Sequence, residues 1–270
     1  MSYYSLISLM PKFTFDADAQ AFITAAAITD ATQQNAINTL VLALKGYSIW
    51  TKFKAIYPIV GGTASSHKYN LKDPRDLDVA FRLTFATGYT HSSNGMLPNG
   101  GTAYADTKFN PTTGFTVNDN AHISIYSRTN ASTLSVDIGA STAPTDYTLL
   151  SIRRSDQSNT SYFAVNSASL ITLPSDTSSA AMYLCNRIGT AMTGFRNATN
   201  IGTATTTATT RPNFNIVLSA FMLNGTIVNG YYSTKQIAFA SIGDGLTNTE
   251  SANFYTAVQA YQTTLNRQIP

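Results

Sequence analysis

Two different spacings of hydrophobic residues divide the chain near residue 60. Before that point, apolar positions follow the i, i+3, i+4, i+7 pattern of a helix that is buried on one face. Asp30 followed by Gln33 resembles a capping box, and Gly46 is a natural end, so we expect a helix between them. The apolar positions of this helix are Ile37, Leu40, Val41 and Leu44.

Two shorter helical segments are predicted on either side of this helix, within residues 16–57. Asp16 or Asp18 can cap a short helix that carries Phe22 and Ile23 inward. Ser48 can cap a further turn or two, which would end before Pro58. We therefore expect a helical segment from residue 16 to residue 57.

From residue 60 onward, apolar and polar residues alternate with a period of two, which is typical of β-strands. Clusters of Gly, Asn, Pro and Ser separate these runs and predict turns. Many short strands with regular turn signals favour a β-sandwich over an α/β fold. The predicted strands lie at residues 77–83, 122–126, 134–138, 182–185, 216–221 and 237–242, and the main turn clusters lie at 92–101, 110–114, 130–133 and 155–160.

The chain closes with a predicted helix. Thr247 and Glu250 form a capping box. Phe254, Val258 and Tyr261 follow at helical spacing, and the pattern runs to about residue 266. This aromatic stripe should pack on the sandwich.

We predict a mainly β protein: an antiparallel β-sandwich at residues 59–270 with a C-terminal capping helix, preceded by an N-terminal arm and helices at residues 1–58. Residues 1–15 are apolar and read as extended. They form either a strand of the protein's own sheet or an arm that docks on a neighbouring subunit, and both alternatives stay open. The residues of this docking arm are Tyr3, Tyr4, Leu6, Ile7 and Leu9.

Charge is the unusual feature of the composition. Only 11% of the residues are charged, against about 25% in typical soluble domains. The net charge of +3 comes without a cluster of Lys or Arg, so we expect no nucleic-acid partner. The single cysteine, Cys185, excludes an internal disulfide and a thiolate zinc site. No apolar run approaches the ~20 residues that cross a bilayer, so we expect no membrane insertion.

Candidate catalytic groups are few. Glu250 is the only glutamate and is already explained as a helix cap. A glycosidase needs two carboxylates near each other, and the best cluster is that of Asp73, Asp76 and Asp78, in which Lys72 and Arg75 are interleaved. This interleaving favours ion pairing over catalysis, although a glycosidase built on aspartates remains a remote alternative. We therefore predict a protein that is not an enzyme and that uses no cofactor and no metal.

The end of the chain resembles the closing strand and helix of laminin-G-like concanavalin domains. The segment that carries this resemblance is FASIGDGLTNTE at residues 239–250, followed by Tyr255 and Val258. Residues 73–85 and 99–107 resemble patterns of bacteriophage structural proteins that contain this domain, and residues 192–202 resemble the strand and Asn turn of such sandwiches. The resemblance covers residues 60–266. It implies an antiparallel concanavalin-like jelly-roll β-sandwich and a virion location, without carrying over a calcium site.

The resemblance implies a phage virion structural protein: a capsid decoration, head-fibre or tail-accessory subunit that displays a lectin-like sandwich. Its expected partners are other virion proteins and further copies of itself as a homo-oligomer. The alternative is a host-adhesion protein that binds host surface glycans, because exposed tyrosines stack on sugars and Asn or Asp side chains bond to sugar hydroxyls. The same residues are also ordinary turn formers. The candidate glycan-binding residues are Tyr89, His91, Asn94, Asn99 and Tyr104.

Overall fold

The computed structural model describes residues 14–269. The helices are α1 (Ala17–Ala25), α2 (Ala31–Gly46), α3 (Ala64–His67), α4 (Pro111–Gly114) and α5 (Asn248–Thr264). The strands are β1 (Phe53–Tyr57), β2 (Thr84–Phe85), β3 (Tyr89–Ser92), β4 (Gly95–Pro98), β5 (Ala105–Asp106), β6 (Asn120–Ser127), β7 (Ile138–Ser141), β8 (Tyr147–Arg154), β9 (Thr160–Ser167), β10 (Ile171–Leu173), β11 (Ala181–Ile188), β12 (Ala191–Arg196), β13 (Thr199–Thr205), β14 (Val217–Leu218), β15 (Met222–Leu223), β16 (Thr226–Ile227) and β17 (Ile237–Gly243).

The strands form two sheets that face each other as a sandwich. The first sheet has the order β13-β12-β11-β6-β17-β4-β3, and β1 also pairs with β17. The second sheet has the order β10-β9-β8-β7-β14-β5-β2, with β15 and β16 beside β7. These pairings are antiparallel, apart from the short parallel one between β15 and β7. The predicted fold class is confirmed: a mainly β sandwich with N-terminal helices and a C-terminal helix.

The helices cover the outer face of the first sheet. The Phe254 ring of α5 lies 4.8 Å from the Phe53 ring and 5.9 Å from the Phe239 ring, between centroids. Helix α2 packs on α5, and the two contribute to the same hydrophobic core as the strands. The molecule therefore has three layers, namely helices, first sheet and second sheet.

The predicted caps of the main helices are confirmed. The Asp30 carboxylate accepts a hydrogen bond from the Gln33 N–H at 2.8 Å, and α2 ends at Gly46 as predicted. The Thr247 N–H donates to Glu250 Oε2 at 2.7 Å, and the Glu250 N–H donates to Thr247 Oγ1 at 3.2 Å. The only glutamate thus has the structural role that the sequence predicted.

The predicted helical turn after Ser48 is wrong beyond residue 52. A single 3₁₀ turn spans Trp50–Lys52, and residues 53–57 form β1, which pairs with β17. In an apolar segment as short as residues 53–57, the sequence pattern fits a helix and a strand equally well. The segment forms a strand because it pairs with the buried central strand β17. The hydrophobic core also continues across the predicted domain boundary at residue 58.

The predicted strand at residues 77–83 is also wrong. Asp78–Ala80 forms a 3₁₀ turn, Phe81 is left-handed with a φ of 58°, and the side chain of Val79 is 74% exposed. The charged side chains of this segment form ion pairs at the surface. The alternation of apolar and charged residues therefore does not correspond to a buried strand face. Smaller corrections affect residues 92–101, where β4 interrupts the predicted turn, and residues 134–137, which precede β7.

The predicted docking arm, Tyr3 to Leu9, lies outside the described residues and stays a prediction. Within residues 14–269, no helix is long and apolar enough to cross a membrane. Cys185 is buried in β11, and burial raises the pKa of its thiol.

Arg267 holds the end of the chain against three other parts of the fold. Its side chain is 1% exposed. The guanidinium donates to the carbonyl oxygens of Pro58 at 2.8 Å, Ile59 at 2.7 Å and Ala238 at 3.0 Å. Nε also donates to Gln262 Oε1 at 2.6 Å. The side chain thereby joins the end of β1, strand β17 and helix α5.

We expect Arg267→Met to destabilise the protein by more than about 3 kcal/mol, because several buried carbonyls would lose a charged donor. Urea unfolding followed by circular dichroism measures this change. Arg75→Met is the control, since Arg75 is an exposed arginine, and its unfolding midpoint should stay close to that of the unchanged protein. Equal midpoints for the two variants would contradict the prediction.

Candidate functional site

Two of the five predicted glycan-binding residues, Tyr89 and His91, lie together on β3. The His91 ring is 4.7 Å from the Phe85 ring and 5.7 Å from the Tyr89 ring, between centroids. The Tyr89 hydroxyl points inward and donates to the Leu218 carbonyl at 3.3 Å, and its burial raises the pKa of the hydroxyl. Much of the hydrogen-bonding capacity of Tyr89 is therefore used inside the protein.

His91 also contacts His67. Their Nδ1 atoms are 2.9 Å apart, and Nε2 of His67 accepts a hydrogen bond from the Gly62 N–H at 3.2 Å. The proton of neutral His67 therefore lies on Nδ1, which donates to His91. Burial lowers the pKa of His67 to about 3 and also lowers that of His91. The pair is neutral at physiological pH.

The other three predicted residues lie apart from this pair. The side-chain oxygen of Asn99 accepts hydrogen bonds from the backbone N–H groups of Gly101, Thr102 and Ala103 at 3.0–3.1 Å. Asn94 is exposed, and Tyr104 is half-buried. Asn99 thus has the turn role that the sequence offered as its alternative, and glycan binding by all five residues stays a prediction.

The aspartates of the 73–78 cluster are ion-paired. Asp76 contacts Lys68 Nζ at 2.5 Å and Arg82 at 2.7 Å. Asp78 contacts the same arginine at 2.9 Å. The hydrogen bonds from Lys68 and Arg82 lower the pKa of Asp76. Of the two interleaved cations, Arg75 pairs with Asp73 as predicted, whereas Lys72 contacts Trp50 instead. The pairing with Lys68 and Arg82 makes Asp76 a weak candidate for a catalytic acid.

A different group of residues forms the best-built site. An open cleft of about 290 Å³ lies on the outer face of the second sheet, opposite the sandwich interior. We call it the tyrosine cleft. Its polar and aromatic lining residues are Tyr147, Ser151, Arg154, Tyr162, Phe221 and Tyr231, and its apolar ones are Val136, Leu149, Leu170, Leu223 and Val228.

A bulge in β8 directs Arg154 into the tyrosine cleft. Tyr147, Leu149 and Ser151 alternate along one face of the strand, and continued alternation would place Arg153 next. The pairing with β9 shifts between Ser151 and Arg154, and Arg153 is left-handed with a φ of 50°. Such a bulge changes which side chain faces a surface. Arg154 therefore enters the cleft, while Arg153 donates to the Asp176 carbonyl elsewhere.

The hairpin of β15 and β16 builds the opposite wall. Its turn residues, Asn224 and Gly225, have φ values of 48° and 79°, which are typical of an Asn-Gly hairpin turn. The Asn224 N–H donates to the Ser141 carbonyl at 2.9 Å, which fixes the hairpin to β7. Tyr231 follows on the same wall, and its carbonyl accepts from the Val136 N–H on the segment leading into β7.

Arg154 lies between two tyrosine rings. The centre of its guanidinium is 5.5 Å from the Tyr162 ring and 5.6 Å from the Tyr231 ring. Asp156, on the 3₁₀ turn after β8, accepts from Arg154 Nε at 2.9 Å and from Nη2 at 2.5 Å. This two-bond contact raises the pKa of Arg154 and lowers that of Asp156, so both groups are charged at neutral pH.

The chemistry of the lining residues suits this arrangement to binding. Tyrosine rings offer apolar faces with hydroxyl groups that donate or accept hydrogen bonds. Among the described residues, no carboxylate lines the tyrosine cleft. Within residues 14–269, no group of three or more His, Cys, Asp or Glu side chains could hold a metal ion. The sequence analysis missed the residues of the cleft, since the bulge and the long-range hairpin leave no local pattern.

Comparisons with known proteins support the fold. No protein-family model matches the chain. No curated protein matches it either. Among solved structures, a mutant of Trypanosoma rangeli sialidase displaying trans-sialidase activity has a TM-score of 0.51 at 10% identity, over 86% of this chain and 39% of the sialidase.

Two further solved structures have lower TM-scores. Domain 4 of AbnA, an extracellular arabinanase from Geobacillus stearothermophilus in complex with arabinotriose, has a TM-score of 0.48 at 11% identity, over 75% of this chain and 98% of that domain. The Ruminococcus gnavus sialidase module CBM40, bound to α2,3 sialyllactose, has a TM-score of 0.37 at 17% identity, over 50% of this chain and 80% of the module. At 10% identity, the likeness to the sialidase supports the β-sandwich fold alone, and the predicted phage origin stays a prediction.

Proposed function

We propose that the protein binds carbohydrate in the tyrosine cleft and does not cleave it. The observation that carries this proposal is the grouping of Tyr162 and Tyr231 around Arg154 in an open cleft of about 290 Å³ that Tyr147 also lines. That volume is close to the lower end of the range for small-molecule sites, roughly 300–1,000 Å³. The C–H face of a sugar can stack on a tyrosine ring while its hydroxyls bond to the rim.

We propose binding without hydrolysis because the described residues provide the cleft with no free pair of carboxylates. Glycoside hydrolysis needs two of them beside the scissile bond. Asp156 is the carboxylate bonded to the cleft residue Arg154, and Arg154 occupies both of its oxygens. We expect no new reducing ends when the protein is incubated with the oligosaccharides that it binds, and measurable turnover would contradict this part of the proposal.

Removing a tyrosine ring from the cleft tests the binding. We expect Tyr162→Ala and Tyr231→Ala each to weaken glycan binding about tenfold, equivalent to about 1.4 kcal/mol, because a stacking surface is lost. Tyr162→Phe and Tyr231→Phe keep the ring and should stay within about threefold, equivalent to about 0.65 kcal/mol. Glycan arrays identify the ligand, and calorimetry then measures its affinity.

Tyr47→Ala provides the matched control, since Tyr47 is an exposed tyrosine at the end of α2, outside the tyrosine cleft. Thermal unfolding must first show that each variant is folded. If the Tyr47 variant lost as much affinity as the cleft variants, or if the cleft variants bound like the unchanged protein, the cleft would not be the binding site.

We propose secondly that the protein works as a subunit of a phage virion, where glycan binding would serve host attachment. Low charge supports this, because few charges must be desolvated when a polar surface is covered by other subunits. Deleting residues 1–13 should abolish incorporation into particles while α5 and the sandwich still fold. Unchanged incorporation, measured by protein gel of purified particles, would count against the proposal.

A further inference from the structure

The charge of Arg154 is balanced within the protein before any ligand arrives. Asp156 contacts the guanidinium through two hydrogen bonds of 2.9 and 2.5 Å. Arg154 is 17% exposed and Asp156 is 35% exposed. Arg154 lines the tyrosine cleft, and Asp156 is bonded to it from outside the lining. Of the described residues that line the cleft, Arg154 alone is charged.

An arginine in an aromatic cleft would ordinarily attract a carboxylate or sulfate group, because its planar fork matches such groups. Here Asp156 uses two of the donors and supplies the compensating charge. An acidic sugar bound to the remaining donors of Arg154 would bring a second negative charge close to Asp156, and like charges repel. A neutral sugar brings no such charge.

We infer that the tyrosine cleft selects neutral sugars over acidic ones and that Asp156 sets this selection. The inference rests on the proposed function, and it assigns Asp156 as a specificity-determining residue. Arg154 retains a role as a flat spacer between Tyr162 and Tyr231, with one nitrogen, Nη1, outside the two bonds to Asp156. That nitrogen can donate to a sugar hydroxyl.

Asp156→Asn is the decisive variant. Asparagine keeps one oxygen acceptor for Arg154 but removes the negative charge. The probe is a glycan array printed with neutral oligosaccharides and with their counterparts oxidised to a carboxylate at C6. The unchanged protein should bind neutral members at least tenfold more tightly than their oxidised partners. In Asp156→Asn, affinity for oxidised members should rise about tenfold, while neutral members stay within twofold.

Two matched variants separate charge from other effects. Asp73 and Arg75 form the same two-bond contact outside the cleft, at 2.7 and 2.5 Å, so Asp73→Asn should leave selectivity unchanged. Combining Asp156→Asn with Arg154→Gln removes both charges and should abolish the gain for oxidised sugars. High salt should also weaken that gain, because the remaining charge is partly exposed.

Each outcome of this experiment decides the inference. Tighter binding of acidic than of neutral sugars by the unchanged protein would overturn it and leave carbohydrate binding intact. An unaltered preference in Asp156→Asn would remove Asp156 from the explanation. Binding of neither class by the unchanged protein would overturn the proposed function, and the inference with it.

Discussion

Lowering the pH from 7 to 4.5 is expected to remove roughly 5 kcal/mol of folding free energy, at about 1.4 kcal/mol per pH unit for each of two buried histidines. Burial lowers the pKa of His67 to about 3 and that of His122 to about 4, from an ordinary value of 6.5. Between the ordinary and the lowered values, the unfolded chain binds protons that the native protein does not. Stability therefore falls as the pH drops through this window.

The surroundings of His122 explain why it stays neutral. Its Nδ1 lies 2.6 Å from the Asp244 carbonyl, to which it donates, so Nε2 accepts from Ser241 Oγ at 3.1 Å. Protonating Nε2 would turn it from the acceptor into the donor of the second bond and place a charge beside the Phe53 and Phe254 rings, at 5.2 and 6.0 Å. The core around His122 is therefore more stable when the imidazole is neutral than when it is protonated.

Urea unfolding at half-unit steps between pH 7 and 4.5 measures the effect. His67→Asn and His122→Asn should each remove about half of the pH dependence, whatever their stability at pH 7. Asp16 and Asp76 have lowered pKa values, and their contributions are lost mainly below about pH 4, outside this window. A free energy of unfolding that is equal at pH 7 and 4.5 would show that the native histidines take up protons normally.

Local sequence patterns were sufficient to predict the helices and strands whose formation depends on residues close together in the sequence. Helix α2, with its Asp30 cap, and helix α5, with Thr247 and Glu250, were predicted because capping and helical spacing act within a few residues. Strands β6 and β17 were predicted for the same reason, since buried central strands carry a strong apolar pattern.

The candidate site could not be predicted in the same way. Arg154 reaches the tyrosine cleft only because β8 bulges after Ser151, and alternation alone would have selected Arg153. Tyr231 reaches it through a hairpin that pairs with β7, a strand far earlier in the chain. The loop residues that were selected instead, such as Asn99, carry side chains suited to both turns and sugars, and sequence does not separate these uses.

A buried ion pair beneath the tyrosine cleft leads to the second large prediction. Lys235 and Asp137 are both 0% exposed, with Nζ 3.1 Å from Oδ1. Nζ also donates to Thr133 Oγ1 at 3.1 Å and to Ser135 Oγ at 3.0 Å. The Ser135 carbonyl in turn accepts a hydrogen bond from Ser151, which lines the cleft. The pair therefore supports the cleft floor as well as the core.

We expect Lys235→Met to destabilise the protein by about 3–5 kcal/mol, because the Asp137 carboxylate would remain buried without its cation. Removing the charge as well, in Lys235→Met with Asp137→Asn, should recover more than half of this loss. The new amide keeps one oxygen that can accept from the Ile152 N–H, and its nitrogen can donate to the Ser233 hydroxyl. These two groups contact the native carboxylate at 2.9 and 2.6 Å. Urea unfolding of the single and double variants measures the coupling between the two residues.

Arg75→Met again serves as the reference, since it breaks an exposed ion pair that should contribute little to stability. If the double variant were less stable than Lys235→Met alone, the hydrogen bonds of the carboxylate, rather than its unpaired charge, would dominate the energetics.

Glycan affinity of the double variant adds an independent readout, because Ser151 loses its fixed partner if Ser135 moves. We expect the double variant to bind within about threefold of the unchanged protein, equivalent to about 0.65 kcal/mol, since the amide oxygen preserves the backbone contact that holds β8.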